Sequence, residues 1–242
     1  MNPKQKEVIE SVVECYNDLC HLSAMKEGLQ NVYDEYKSAN DPDTLRWLLA
    51  LCIRIHHGRR MPWVSCYLAV EALMASECLG KSFEDFESLH SEVSTSFKDI
   101  SFARGPLTCY DTAVNVAFLL SDTLLPQKYV YLHAGAWKGA GYLMDECRLR
   151  SVMPVAEWHE FFPDMESWKI EDMLCIYKDV FKKLKENECV TKSDISPSSG
   201  GCSSPAPKKC CTDATLFKGR YTKEYVLRRL QEAEENLKSQ KQ

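Results

Sequence analysis

The sequence predicts an all-α protein: one multi-helix domain over residues 1–189, a disordered linker over 190–213 and a C-terminal amphipathic helix over 214–242. Three observations carry this reading. Apolar residues recur at spacings of three and four along most of the chain, the period of a helix with one buried face. Gly and Pro stand at the ends of these stretches, where helices stop and start. Beyond residue 189, "VTKSDISPSSGGCSSPAPKKCCTD" is rich in Ser, Pro and Gly and poor in large apolar residues, a composition that buries too little to order itself.

Residues 4–37 carry Val8, Val12, Cys15, Leu19 and Leu22 at helical spacing, with Gly28 as the expected division. "ANDPDT" is a break with a cap. Asp41 or Asp43 can accept the orphan amides of the next helix, and Pro42 suits its first turn. "TLRWLLALCIRI" is apolar nearly all round and reads as a buried helix, stopped at "HHGRRMP" by Gly58 and Pro62. From Pro62 a helix is expected with Tyr67, Val70, Leu73 and Met74 on its inner face, ending at Gly80. "SFEDFESLHSEVSTSF" follows, with Ser82 and Asp85 as a capping-box-like start.

"SFARGPLTCYDTAVNVAFLL", residues 101–120, starts a helix abruptly after a Gly-Pro step. Next, "YVYL" is β-prone but short, and "LHAGAWKGAGYL" sets Gly135 and Gly139 four apart, as it does Ala136 and Ala140. That spacing lines one helix face with small residues and admits a close neighbour; the glycine run of a dinucleotide site is lacking. Ile170, Leu174, Tyr177 and Phe181 predict one long amphipathic helix. In the tail, Val226, Leu230, Ala233 and Leu237 make a narrow stripe, suited to docking back, to a coiled coil or to a protein partner.

Net charge is −5 and the pI about 5.7, which argues against whole-molecule attraction to nucleic acid or acidic membranes and leaves only a local basic patch. No apolar run reaches the roughly 18 residues of a membrane helix, and the start "MNPKQKEVIESV" has no apolar signal core. An intracellular protein, cytoplasmic or nuclear, is therefore expected, with its 12 cysteines mostly free thiols. Cys15, Cys20, Cys52, Cys66, Cys78, Cys109, Cys147 and Cys175 sit among apolar residues and read as small core hydrophobes. No cofactor is implied. No metal site is either: Cys202, Cys210 and Cys211 have no fourth ligand at standard spacing, and adjacent His56 and His57 lack the helical zinc-pair spacing.

Two chemical readings attach to residues 101–120. In the first, the helix start is an anion site: Gly105, Leu107 and Thr108 offer orphan amides, the helix dipole favours negative charge, and Arg104 adds a cation. Arg59 and Arg60, in the basic run "RIHHGRR", are the candidate helpers. A plain interhelical turn, and a solvated helix end for the arginines, are the alternatives. In the second reading, Cys109 in the first turn is a nucleophile with a lowered pKa, served by His133 and Asp111. Its alternative is a packed, inert thiol, since Asp111 is only two residues away and points elsewhere on a helix.

"ARGPLTC" resembles the helix-hairpin-helix DNA-binding motif, with Ala103 in place of the first glycine, Gly105 as the second, and Thr108 and Cys109 where threonine and alanine are common. The resemblance extends over about residues 98–145 to the helix-hairpin-helix DNA glycosylases, through the β-like "YVYL" and the helix after it. It implies hairpin amides on a DNA phosphate. The catalytic aspartate would fall on His133 and the lyase lysine on Leu107; an imidazole supplies no fixed negative charge and a leucine forms no Schiff base. What is implied is binding without standard glycosylase or lyase chemistry. "GPLTCYDTA" with "VYLHAGA" is also similar to a family of uncharacterised proteins, which implies no activity.

Overall fold

The computed structural model describes residues 3–17, 21–55, 61–195 and 221–240. Among them are α1 (Pro3–Asn17), α2 (His21–Ala39), α3 (Pro42–Arg54), α4 (Trp63–Ala75), α5 (Phe86–Phe97), α6 (Pro106–Leu120), β1 (Tyr129–Tyr131), α7 (Ala134–Leu143), β2 (Val152–Pro154), α8 (Ser167–Ile176), α9 (Lys178–Lys185), α10 (Lys192–Ile195) and α11 (Lys223–Ser239). The fold is all-α, with one two-stranded antiparallel ribbon.

The chain divides into two compact units, each drawn from two stretches: Met1–His21 with Pro126–Cys210, and Leu22–Leu125 with Cys211–Gln242. Of the expected linker, Lys192–Ile195 forms a helical turn, and residues 196–213 lie outside the described residues, as do Cys202, Cys210 and Cys211.

In the first unit, β1 and β2 pair with Val130 opposite Met153. Val130 and Met153 are fully buried, while Tyr129 and Val152 stay exposed. Sequence alone locates β1; β2 passes unnoticed because three residues carry too little alternation to register. Helix α7 packs on α8 and α9 through its small-residue face. A Cβ added to Gly139 would come closer than 3.0 Å to the Leu174 carbonyl oxygen, and one added to Gly135 would meet the Cys175 Sγ. The small residues therefore let two helices approach backbone to backbone at Gly139 and backbone to side chain at Gly135. Ile170, Leu174, Tyr177 and Phe181 are all buried as expected, but the single long helix is interrupted at Tyr177 (φ −98, ψ 15), which separates α8 from α9. Helix α1 is tied in by the Tyr16 hydroxyl, which donates to Asp172 Oδ2 at 3.0 Å, and by the Cys15 thiol, which donates to the Ile195 carbonyl.

In the second unit, Gly28 lies inside α2 rather than dividing it. Asp41 caps α3, accepting from the amides of Asp43 and Thr44 with Pro42 in the first turn. Seven consecutive residues, Leu48 to Arg54, are buried, as a helix apolar all round requires. Helix α4 turns Ser65, Cys66, Ala69, Val70 and Leu73 inward; Tyr67 and Met74 are only half-buried. The start of α5 is three residues later than expected. Asp85, not Ser82, is its cap, in a reciprocal box with Ser88.

Helix α11 lies on α3 and α4, burying Val226, Leu230 and Ala233. Of the three options for its stripe, docking back is the one realised, so the face expected for a protein partner is covered. Polar contacts line the dock. Trp47 Nε1 donates to the Tyr221 carbonyl at 2.9 Å, and Lys223 Nζ donates to Asp41 Oδ2 at 3.0 Å and to the Thr44 hydroxyl at 2.5 Å. The Trp63 ring carries the Arg54 guanidinium at 3.9 Å, Arg229 at 5.7 Å and the Tyr225 ring edge-on at 6.0 Å.

Cys52, Cys66, Cys78 and Cys109 are buried free thiols, and Cys15 and Cys175 are half-buried. Cys147 departs from the core expectation: it is exposed, on a single 3-10 turn at Glu146–Arg148. Cys20 lies outside the described residues. No helix among the described residues is long and apolar enough to cross a membrane.

Candidate functional site

Helices α5 and α6 pack against each other in the second unit. Phe86 at the start of α5 meets Tyr110 of α6 edge to face at 5.7 Å. The turn between them, residues 98–105, is built around three apolar anchors. Phe97 and Ala103 are fully buried and Ile100 is nearly so. Backbone bonds from Ile100 N–H to the Phe97 carbonyl and from Arg104 N–H to the Ile100 carbonyl wind it tightly. Between the anchors, Phe102 takes a left-handed backbone at φ 64 and is 60% exposed.

Helix α6 then opens as the Gly-Pro step predicts. Gly105 is the N-cap in an extended conformation (φ −64, ψ 137), Pro106 follows it, and no side chain caps the first turn. Hence the amides of Leu107 and Thr108 receive no side-chain acceptor at the positive end of the dipole. Arg104, next to the cap, is exposed. Gly105 is not required by its backbone, since an added Cβ would meet the Phe102 carbonyl and the Thr108 hydroxyl only at 3.8 and 3.9 Å. The left-handed residue is Phe102 instead, a conformation that no side-chain pattern announces in a bulky residue.

Two side chains of α6 reach back to hold the turn. The Thr108 hydroxyl donates to the Phe102 carbonyl at 3.3 Å, and the Cys109 thiol donates to the Ala103 carbonyl at 3.5 Å. Thr108 is therefore a clamp on the turn through its side chain, which leaves its amide as the group to meet an anion. Cys109 is likewise committed to the turn. Burial pushes its thiol pKa up, against a smaller opposing effect of the Ser94 hydroxyl. This is the opposite direction to the dipole-lowered pKa expected of a first-turn cysteine, because burial disfavours the charged form.

Asp111 is half-buried on α6. His133 belongs to the first unit and Cys109 and Asp111 to the second. His133 is the N-cap of α7 by its backbone, with its carbonyl accepting from Ala136 at 2.8 Å and its ring 6.3 Å from that of Tyr131. Arg59 and Arg60 lie outside the described residues, as do His56, His57 and Gly58. Arg54, the first cation of that basic run, is buried and structural: its Nη1 donates to the Met61 carbonyl at 2.6 Å.

Phosphate contact is the chemistry that the α5–α6 turn can support: two uncapped amides and an exposed guanidinium, on a turn held by its own side chains. Among the described residues, no group of three or more His, Cys, Asp or Glu is placed to hold a metal ion. No family model, curated protein or solved structure matches the chain.

Proposed function

We propose that the second unit is a nucleic-acid-binding module whose phosphate contact is the α5–α6 turn. The supporting observation is the uncapped start of α6, where Leu107 and Thr108 follow the exposed Arg104 by three and four residues. A phosphate would supply the missing acceptor and the opposite charge together. Thr108 keeps the turn in shape. The Cys109 thiol, buried and donating to the Ala103 carbonyl, favours a binding role here over a nucleophilic one.

The test is fluorescence anisotropy of labelled oligonucleotides with the full chain, titrated at several salt concentrations. Binding that weakens linearly in log–log form with salt is expected. Arg104→Ala is expected to weaken binding on all sequences and to reduce the salt slope by about one. Binding that ignores salt, or is unchanged by Arg104→Ala, overturns the proposal.

A further inference from the structure

The ring of Phe102 stands out among the exposed apolar side chains. Leu68, Tyr129, Trp137 and Val152 are 37–40% exposed, whereas Phe102 is 60% exposed. It also carries a left-handed backbone, φ 64, which for a bulky residue is a true outlier and costs stability. The turn gives the ring no route inward. Ile100 and Ala103 on either side are pulled into the core, and the carbonyls of Phe102 and Ala103 are held by Thr108 and Cys109. Glycine or asparagine would occupy this position at less cost. The structure thus fixes an aromatic face in water at a place where folding favours another residue.

We infer that Phe102 is a stacking platform for an unpaired nucleobase, so that the turn takes single-stranded nucleic acid in preference to duplex; this rests on the phosphate-contacting reading of α6. Charge and aromatic surface occur together here. Lys98 and Asp99, both exposed at the end of α5, cancel, which leaves Arg104 as the net charge of the turn. Arg104 follows Phe102 by two residues, within about 7 Å of chain. That separation is of the order of one nucleotide step, so the ring would serve a base and the guanidinium a neighbouring phosphate, as non-specific single-strand sites combine stacking with positive charge. In a duplex the bases are already stacked on one another and offer Phe102 no free face.

Anisotropy titrations of the full chain with a labelled 20-nucleotide single strand and its duplex test this. The single strand is expected to bind more tightly. Phe102→Ala should weaken single-strand binding roughly five-fold or more and leave duplex binding unchanged, and Phe102→Trp should restore it. Phe102→Asn separates binding from folding: its melting temperature should equal or exceed that of the parent while single-strand binding falls. Equal or tighter duplex binding, single-strand binding indifferent to Phe102→Ala, or a lowered melting temperature for Phe102→Asn overturns the inference. Salt-dependent duplex binding that ignores residue 102 sinks this inference alone, whereas loss of all salt-dependent binding sinks the phosphate reading with it.

Discussion

Gly139 faces the Leu174 carbonyl so closely that a methyl group cannot be placed between them. The contact is to backbone on one side and to a missing side chain on the other, so neither partner can yield without moving a helix. Gly139→Ala is therefore expected to destabilise the first unit by about 1–3 kcal/mol, the usual cost of overpacking. Gly135→Ala meets the Cys175 Sγ first, and a side chain can rotate where a carbonyl cannot. Urea denaturation should show the larger fall in midpoint for Gly139→Ala. Equal falls would mean that α7 and α8 slide apart freely.

Leu230 anchors α11 at 3% exposure. A 17-residue helix with a narrow stripe has little stability of its own, so the anchor decides whether it is docked. Leu230→Ala should cost roughly 2–5 kcal/mol and appear as fast amide exchange confined to Lys223–Ser239. Lys223→Ala should leave exchange there nearly unchanged, since Lys223 and Asp41 are 28% and 37% exposed in their side chains and solvent screens such pairs.

Thiol reactivity should follow burial. Cys147 and Cys189 are exposed, and Cys52, Cys66, Cys78 and Cys109 are buried. Iodoacetamide near neutral pH, read by peptide mass spectrometry, should label the first two and reach the buried four only on unfolding. Rapid labelling of Cys109 in the folded protein would revive a nucleophilic role for it.

The same thiols set an alkaline limit. Burial pushes Cys66 up to about 12 and Cys78 up to about 11, from an ordinary value near 9. A group whose pKa is raised on folding stabilises fully below its unfolded pKa and loses that contribution as pH rises towards the folded one. Stability of the second unit should therefore fall between about pH 9 and pH 12. Cys66→Ala with Cys78→Ala should flatten that fall, whatever it does to stability at neutral pH. An unchanged alkaline slope in the double variant would assign the fall to other groups.

Helix α5 depends on its cap. Asp85 accepts from the Ser88 amide at 3.0 Å while the Ser88 hydroxyl answers the Asp85 amide. Asp85→Ala should cost about 1 kcal/mol, and Ser82→Ala almost nothing. Thermal melts of the two variants should separate them.

What the sequence made legible was whatever depends on near neighbours. Asp41 and Pro42 announce α3, Gly105 and Pro106 announce α6, and the small face of α7 announces a close contact without naming its partner. Ser82 misled because the local pattern fits two registers, and only the burial of Phe86 selects the cap at Asp85. The break at Tyr177 was hidden because the apolar stripe continues across it. In the candidate site, the abrupt helix start was legible. The left-handed Phe102 was not, since the pull of Ile100 and Ala103 into the core arises only once α5 and α6 have packed.

The division of the chain also has a consequence for its biosynthesis. Helices α3 and α4 emerge early, yet α11, which covers them, is translated roughly 170 residues after α3 ends. At 5–20 residues per second, that is a wait of about ten to thirty seconds. The first unit waits as well, since α1 needs residues far downstream. Neither unit can be completed on the ribosome before much of the other has been made, and during that interval the bare faces of α3 and α4 are natural ligands for a chaperone.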